Sequence, residues 1–458
     1  MTGLPREARE RADAGDAEGA LRALQSRRRD LGRDREVALA WMQLAAAVPT
    51  REALVDEARE VLESFPADPD LVVAACATLI ARAQLRPPDE PPLEHGPARV
   101  AADAAERCLA RCEGGASIEP QAMAYLWINR ANALRHLGGA FDEEAQQAYR
   151  RALELAPDRG WWWLDLGVLH KWRGRYDLAF DCFLKARARL GEEKPVLFNL
   201  GIAATALGQG DVAAGLWRQL GIPAEVNDRS GMPFVDGLPP VQVRVPTRGP
   251  GTGAPTDVPD RAVGLELLWV APLSPCHGVV QTPPFRDAPV DYGDVVLWDA
   301  APVGTADDGT PRFPLLTRLR PGEEHRFRFV GLQQETGDVQ RLVESLPPAV
   351  RLFIHRERVE HACPRCASGD AMRKHEHEPA EEHRIVYGTL VVPPKVDLRA
   401  FRLVYESSLR QGGRVALALP GLYEALGDTK AAGQQHQAWR GIERVAAKRG
   451  LASGPGPA

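Results

Sequence analysis

The densest set of metal-ligating side chains lies in residues 355–383, HRERVEHACPRCASGDAMRKHEHEPAEEH. Cys363 and Cys366 are two residues apart, and His375 and His377 follow. Thiolates at that spacing can grip one side of a tetrahedral zinc, and two imidazoles could close the other. The same pair could instead act as a redox-active dithiol. A charged hairpin loop explains the composition equally well, because there is a single CxxC and His-x-His is not the usual second half. All three readings stay open: zinc is not required, and no HExxH helix points to a catalytic metal.

Other reactive residue types are less organised. Cys276 and His277 are adjacent in SPCHGVV, so in a strand they point to opposite faces and make a poor nucleophile–base pair. Asp291, Asp294 and Asp299 flank an apolar run and read as turn formers. GPGTGAP at 249–255 lacks the Lys-Ser/Thr of a phosphate-binding loop. No residue is assigned a catalytic role, and an enzyme is the less favoured class.

Composition bounds the rest. The chain has 458 residues, enough for several domains, and 57 basic against 62 acidic residues leave a formal charge of −5. That argues against a nucleic-acid binder. The N-terminus MTGLPREARERADAG has no apolar core, and the longest apolar-and-small run, Leu71–Ala81, falls short of the ~20 residues of a membrane span. The expectation is a cytoplasmic protein with no membrane partner. Seven cysteines, mostly single within helical patterns, do not form a disulfide framework.

The elements that carry these residues fall into two textures. Residues 1–222 are Ala-, Leu-, Arg- and Glu-rich with helical spacing. Residues 223–262 are dense in Gly and Pro and read as a linker. Residues 263–393 read as a β-rich α+β domain, with strands at Val263–Ala271, Asp294–Trp298, His325–Leu332, Val350–His355 and Arg384–Val392, and a helix at Asp338–Leu346. Residues 394–450 read as helices and 451–458 as a flexible tail.

The helical half repeats itself. Trp163, Leu166, Gly167, His170, Ala179, Phe183 and Ala186 recur 34 residues later as Leu197, Leu200, Gly201, Ala204, Ala213, Trp217 and Leu220. Trp127, Ala131, Leu134, Ala145, Tyr149, Ala152 and Pro157 fit the same pattern after a two-residue insertion. Small residues let paired helices approach, and neither pair can bury its face alone, so the pairs must stack. The segment W-L-D-L-G-V-L-H…A-F-D-C-F-L-K-A resembles the tetratricopeptide repeat (TPR) family, clearest over residues 124–221. A further TPR-like hairpin is expected near 415–442, with Pro420 where a small residue belongs. The fold class is thus multidomain: a TPR-like α-solenoid, a β-rich α+β domain, then C-terminal helices.

The resemblance implies a groove, lined by the first helix of each pair, that holds a peptide segment or partner protein. Its positions here are Tyr125, Asn129, Asn132, Arg135, Trp161, Asp165, Lys171, Trp172, Phe198 and Asn199. Asn129 and Asn199 share one repeat position, where an amide can hold an extended backbone. Trp161 is an expected exposed anchor and Trp163 a core residue. The carboxylate-clamp pattern is absent, since Ile128 and Pro195 stand where its lysines would be. The expected function is a non-catalytic adaptor or scaffold. Its rival is an enzyme or zinc/thiol module in the β-rich domain, with the repeats recruiting substrate or effector. A groove filled by the protein's own β-rich part is the competing fate of these residues.

Overall fold

A computed structural model describes residues 5–90, 93, 95–113, 118–247, 264–362, 381–412 and 415–447. Its first part is helical: α1 (Arg6–Asp13), α2 (Ala17–Ala23), α3 (Arg35–Ala45), α4 (Leu54–Ser64), α5 (Pro69–Ala83), α6 (Pro97–Glu113), α7 (Pro120–Arg135), α8 (Asp142–Leu155), α9 (Gly160–Trp172), α10 (Tyr176–Leu190), α11 (Lys194–Ala206) and α12 (Gly210–Gln219). Asp34 and Asp68 cap α3 and α5 by accepting from backbone N–H groups of the first turn. Consecutive helices pair, and the first helices α3, α5, α7, α9 and α11 touch in succession. The 34-residue repeat has a steric basis. A Cβ on Gly167 would lie 2.4 Å from the Phe183 ring, and one on Gly201 would lie 2.7 Å from the Trp217 ring. Each glycine therefore lets a fully buried aromatic of the second helix seat against the first.

After a small ribbon of β1 (Glu225–Val226) and β2 (Pro233–Phe234), the chain forms β3 (Val241–Thr247), β4 (Gly264–Ser274), β5 (His277–Val280), β6 (Val295–Trp298), β7 (Gly304–Thr305) and β8 (Pro311–Arg320). Neighbours are antiparallel, and β8 also pairs in parallel with β3. That pairing closes the sheet on itself and removes its edges. Val241, Val243, Val245, Leu268, Val270, Val280, Val296 and Trp298 fill the interior. The expected linker therefore contains a barrel strand, and β8 was not expected from the sequence.

A separate antiparallel sheet follows, in the order β10–β11–β9–β12, built from β9 (His325–Gln333), β10 (Arg351–Ala362), β11 (Glu381–Val392) and β12 (Val415–Ala418). With it pack α13 (Asp338–Glu344), α14 (Leu398–Gly412), α15 (Pro420–Ala425) and α16 (Thr429–Ala447). Two expectations need correction. The β-rich region is two sheets, dividing between Arg320 and His325. The C-terminal helices join the second sheet instead of standing apart from it: Leu417, Leu419, Leu422, Tyr423 and Ala432 share one core with Phe327 and Phe329. Val415–Ala418, expected to be helical, is a strand. A four-residue apolar run serves either structure, and pairing with β9 decides it.

Candidate functional site

The downstream end of the expected groove is filled by the barrel. Cys276 and Leu297, on its outer face, share a core with Leu164, Leu197, Ile202 and Trp217 of the helical array. Lys171 is nearly fully buried there, donating to Asn199 Oδ1 at 2.8 Å and to Asp299 Oδ2 at 2.7 Å. The Asn199 amide donates to Pro195 O in its own helix at 2.8 Å. Phe198 stands edge-on to Trp217 with centroids 5.6 Å apart. Lys171, Phe198 and Asn199 are thus engaged within the chain.

Further upstream, several groove positions hold the array together. Asn129 is buried and donates to Val73 O at 2.9 Å, tying α7 to α5. Asn132 accepts from the Tyr149 hydroxyl at 2.5 Å and faces Asp165 at 3.4 Å. Burial pushes the Asp165 carboxyl up, against the opposing pull of Arg135 and the Asn132 hydrogen bond. Tyr125 meets Trp162 edge-on at 5.5 Å. Trp161 is 47% exposed, while Trp163 donates to Pro157 O at 3.0 Å under Lys185.

Between these parts the groove opens into a cavity of ≈ 1210 Å³. Arg135, Val168 and Trp172 line it from the first helices, with Arg82, Arg99, His136, Phe141 and Arg173 around them. The α5–α6 connection supplies Asp89 and Glu90, which Arg244 of β3 holds at 3.2 Å each, so the barrel also fixes the cavity's rim. Asp89 is buried, and burial pushes its carboxyl up. Burial, then the Arg135 charge, push His136 down to about 3, which leaves it neutral at ordinary pH. Arg135 and Trp172 were legible as groove residues. Arg82, Arg99, Arg173 and the acidic pair were not, since R-P-P-D-E-P-P reads only as an insertion.

Cys276 and His277 do not form a reactive pair. His277 Nδ1 lies 2.6 Å from Ser274 Oγ, which is 3.7 Å from Cys276 Sγ. Both residues are fully buried. Burial pushes the thiol up to about 12 and the imidazole down to about 4, so neither is ionised near neutrality. Asp291 and Asp294 hold a turn: Asp294 accepts from the backbone of Asp291 at 2.9 Å and of Gly322 at 2.7 Å.

Cys363, Cys366, His375 and His377 lie outside the described residues. Among the described residues no group of three or more His, Cys, Asp or Glu side chains could hold a metal ion, and no helix is long and apolar enough to cross a membrane.

No protein-family model matches the chain, and no curated protein matches it. Among solved structures, two described as crystal structures of MamA are similar to part of it at 13% identity and a TM-score of 0.29. One alignment covers 46% of this chain and 85% of that structure, the other 47% and 93%.

Proposed function

We propose that the chain is a non-catalytic adaptor that holds a peptide segment of a partner protein in the upstream part of its helical groove. The supporting observation is the cavity of ≈ 1210 Å³, which exceeds the roughly 300–1,000 Å³ of small-molecule sites and is lined in part by Arg135, Val168 and Trp172 of the first helices. Trp172 and Val168 offer apolar contact there, and the guanidiniums offer hydrogen bonds. Stacked helical hairpins make extended concave surfaces of this kind. The barrel serves as a fixed wall: it covers Lys171 and straps the cavity rim through Arg244.

The test is selection of random short peptides displayed against the immobilised full chain. The expected result is enriched sequences whose binding is lost in Trp172→Ala and kept in Trp161→Ala. No enrichment, or binding insensitive to Trp172→Ala, contradicts the proposal.

A further inference from the structure

Resting on that reading, we infer that the cavity takes an acidic peptide segment, with carboxylates on its arginines and an apolar side chain against Trp172. Among the described residues the wall carries five guanidiniums, of Arg82, Arg86, Arg99, Arg135 and Arg173, against two carboxylates, of Asp89 and Glu90. This local excess runs against the net charge of −5 of the whole chain.

The pairing within the wall sharpens the point. Glu90 accepts from Arg244 at 3.2 Å and has Arg86 at 3.6 Å, while Asp89 faces Arg244 at 3.2 Å as an ion pair without a hydrogen bond, among the described residues, to either of its carboxylate oxygens. Arg173 is matched by Asp142 at 2.5 Å. Among the described residues Arg82 reaches only a backbone carbonyl, that of Pro49, at 3.0 Å. Arg99 stacks over Phe141 at 4.6 Å and has Asp103 at 3.9 Å, beyond hydrogen-bond range. Arg135 has Asp165 at 3.7 Å, and its buried Nε has no hydrogen-bond partner. Among the described residues, Arg82 has no carboxylate partner, and Arg99 and Arg135 have only loose ones; for the buried Arg135 Nε an unmade hydrogen bond is costly. A guanidinium is a planar fork suited to a carboxylate, and clustered arginines are a recurring means of reading acidic motifs.

The test uses synthetic, fluorescently labelled copies of the selected peptides, each with a version in which Glu and Asp become Gln and Asn. Anisotropy is read on the full chain at low and high salt. The expected result is that the acidic versions bind about tenfold tighter per engaged carboxylate. The preference should shrink with salt and be lost in Arg82→Gln/Arg99→Gln. Arg82→Lys/Arg99→Lys should retain much of the affinity, which shows that the pair of sites tolerates substitution without unfolding. Equal binding of acidic and amide versions overturns this inference and leaves the adaptor reading standing. Unchanged affinity in Arg82→Gln/Arg99→Gln also overturns it. Tighter binding of a single-stranded oligonucleotide than of any peptide overturns the choice of a peptide. A selection that yields no binders removes the adaptor reading and this inference together.

Discussion

Lys171 Nζ lies 2.7 Å from Asp299 Oδ2, joining helix and barrel residues 128 positions apart in sequence, with both side chains nearly withdrawn from water. Asn199 completes the lysine's hydrogen bonds from the neighbouring repeat. A buried ion pair contributes little net stability, but breaking it from one side is expensive, because the surviving charge has no partner.

Lys171→Met and Asp299→Leu are each expected to cost roughly 3–5 kcal/mol in urea denaturation. Lys171→Met/Asp299→Leu should recover most of that loss. Losses that simply add in the double variant would contradict a direct pairing.

Burial pushes His277 and His355 from 6.5 to about 4. The unfolded chain therefore accepts protons that the folded chain refuses. This contribution is present above pH 6.5 and is lost as pH falls through the window toward 4. The slope is up to about 1.4 kcal/mol per pH unit for the fully buried His277, and smaller for the partly exposed His355. His277→Asn should flatten the pH profile of stability in that window, and an unchanged profile would contradict the assignment.

Gly167→Ala and Gly201→Ala push a methyl into the Phe183 and Trp217 rings. Overpacking of this kind costs about 1–3 kcal/mol. Gly433→Ala, in α16 with nothing within 4 Å of the added carbon, should instead stabilise by up to about 1 kcal/mol. Denaturation midpoints moving in opposite directions is the expected outcome.

Arg244→Gln leaves Asp89 buried beside a neutral partner and loosens the α5–α6 connection. Amide hydrogen exchange across residues 84–90 should rise while exchange in α9 stays slow. Equal exchange in both proteins would contradict the strap.

The helical array was legible because its signal is local and periodic: Gly167 with Phe183 and Gly201 with Trp217 are the same contact 34 residues apart. The barrel was not. β3 contains Pro246 and sits in a Gly/Pro-rich stretch, and β8, PRFPLLTRLR, has two prolines and three arginines in ten residues. Prolines demote a strand in sequence patterns, and closure between β3 and β8 supplies a context no local window contains. Among the groove residues, Arg135 and Trp172 line the cavity. Repeat position cannot show that Asn129 turns to Val73 O, nor that Lys171 meets Asp299 of a barrel far along the chain.

In the proposed adaptor, the partner enters the upstream cavity and not the barrel-covered part of the groove. The most direct test is the affinity of a selected peptide for the full chain, for Trp172→Ala and for the outward-facing control Leu184→Ser, whose wild-type residue is 44% exposed on α10. The account predicts that binding is lost in Trp172→Ala and is unchanged in Leu184→Ser. Full affinity in Trp172→Ala would contradict it.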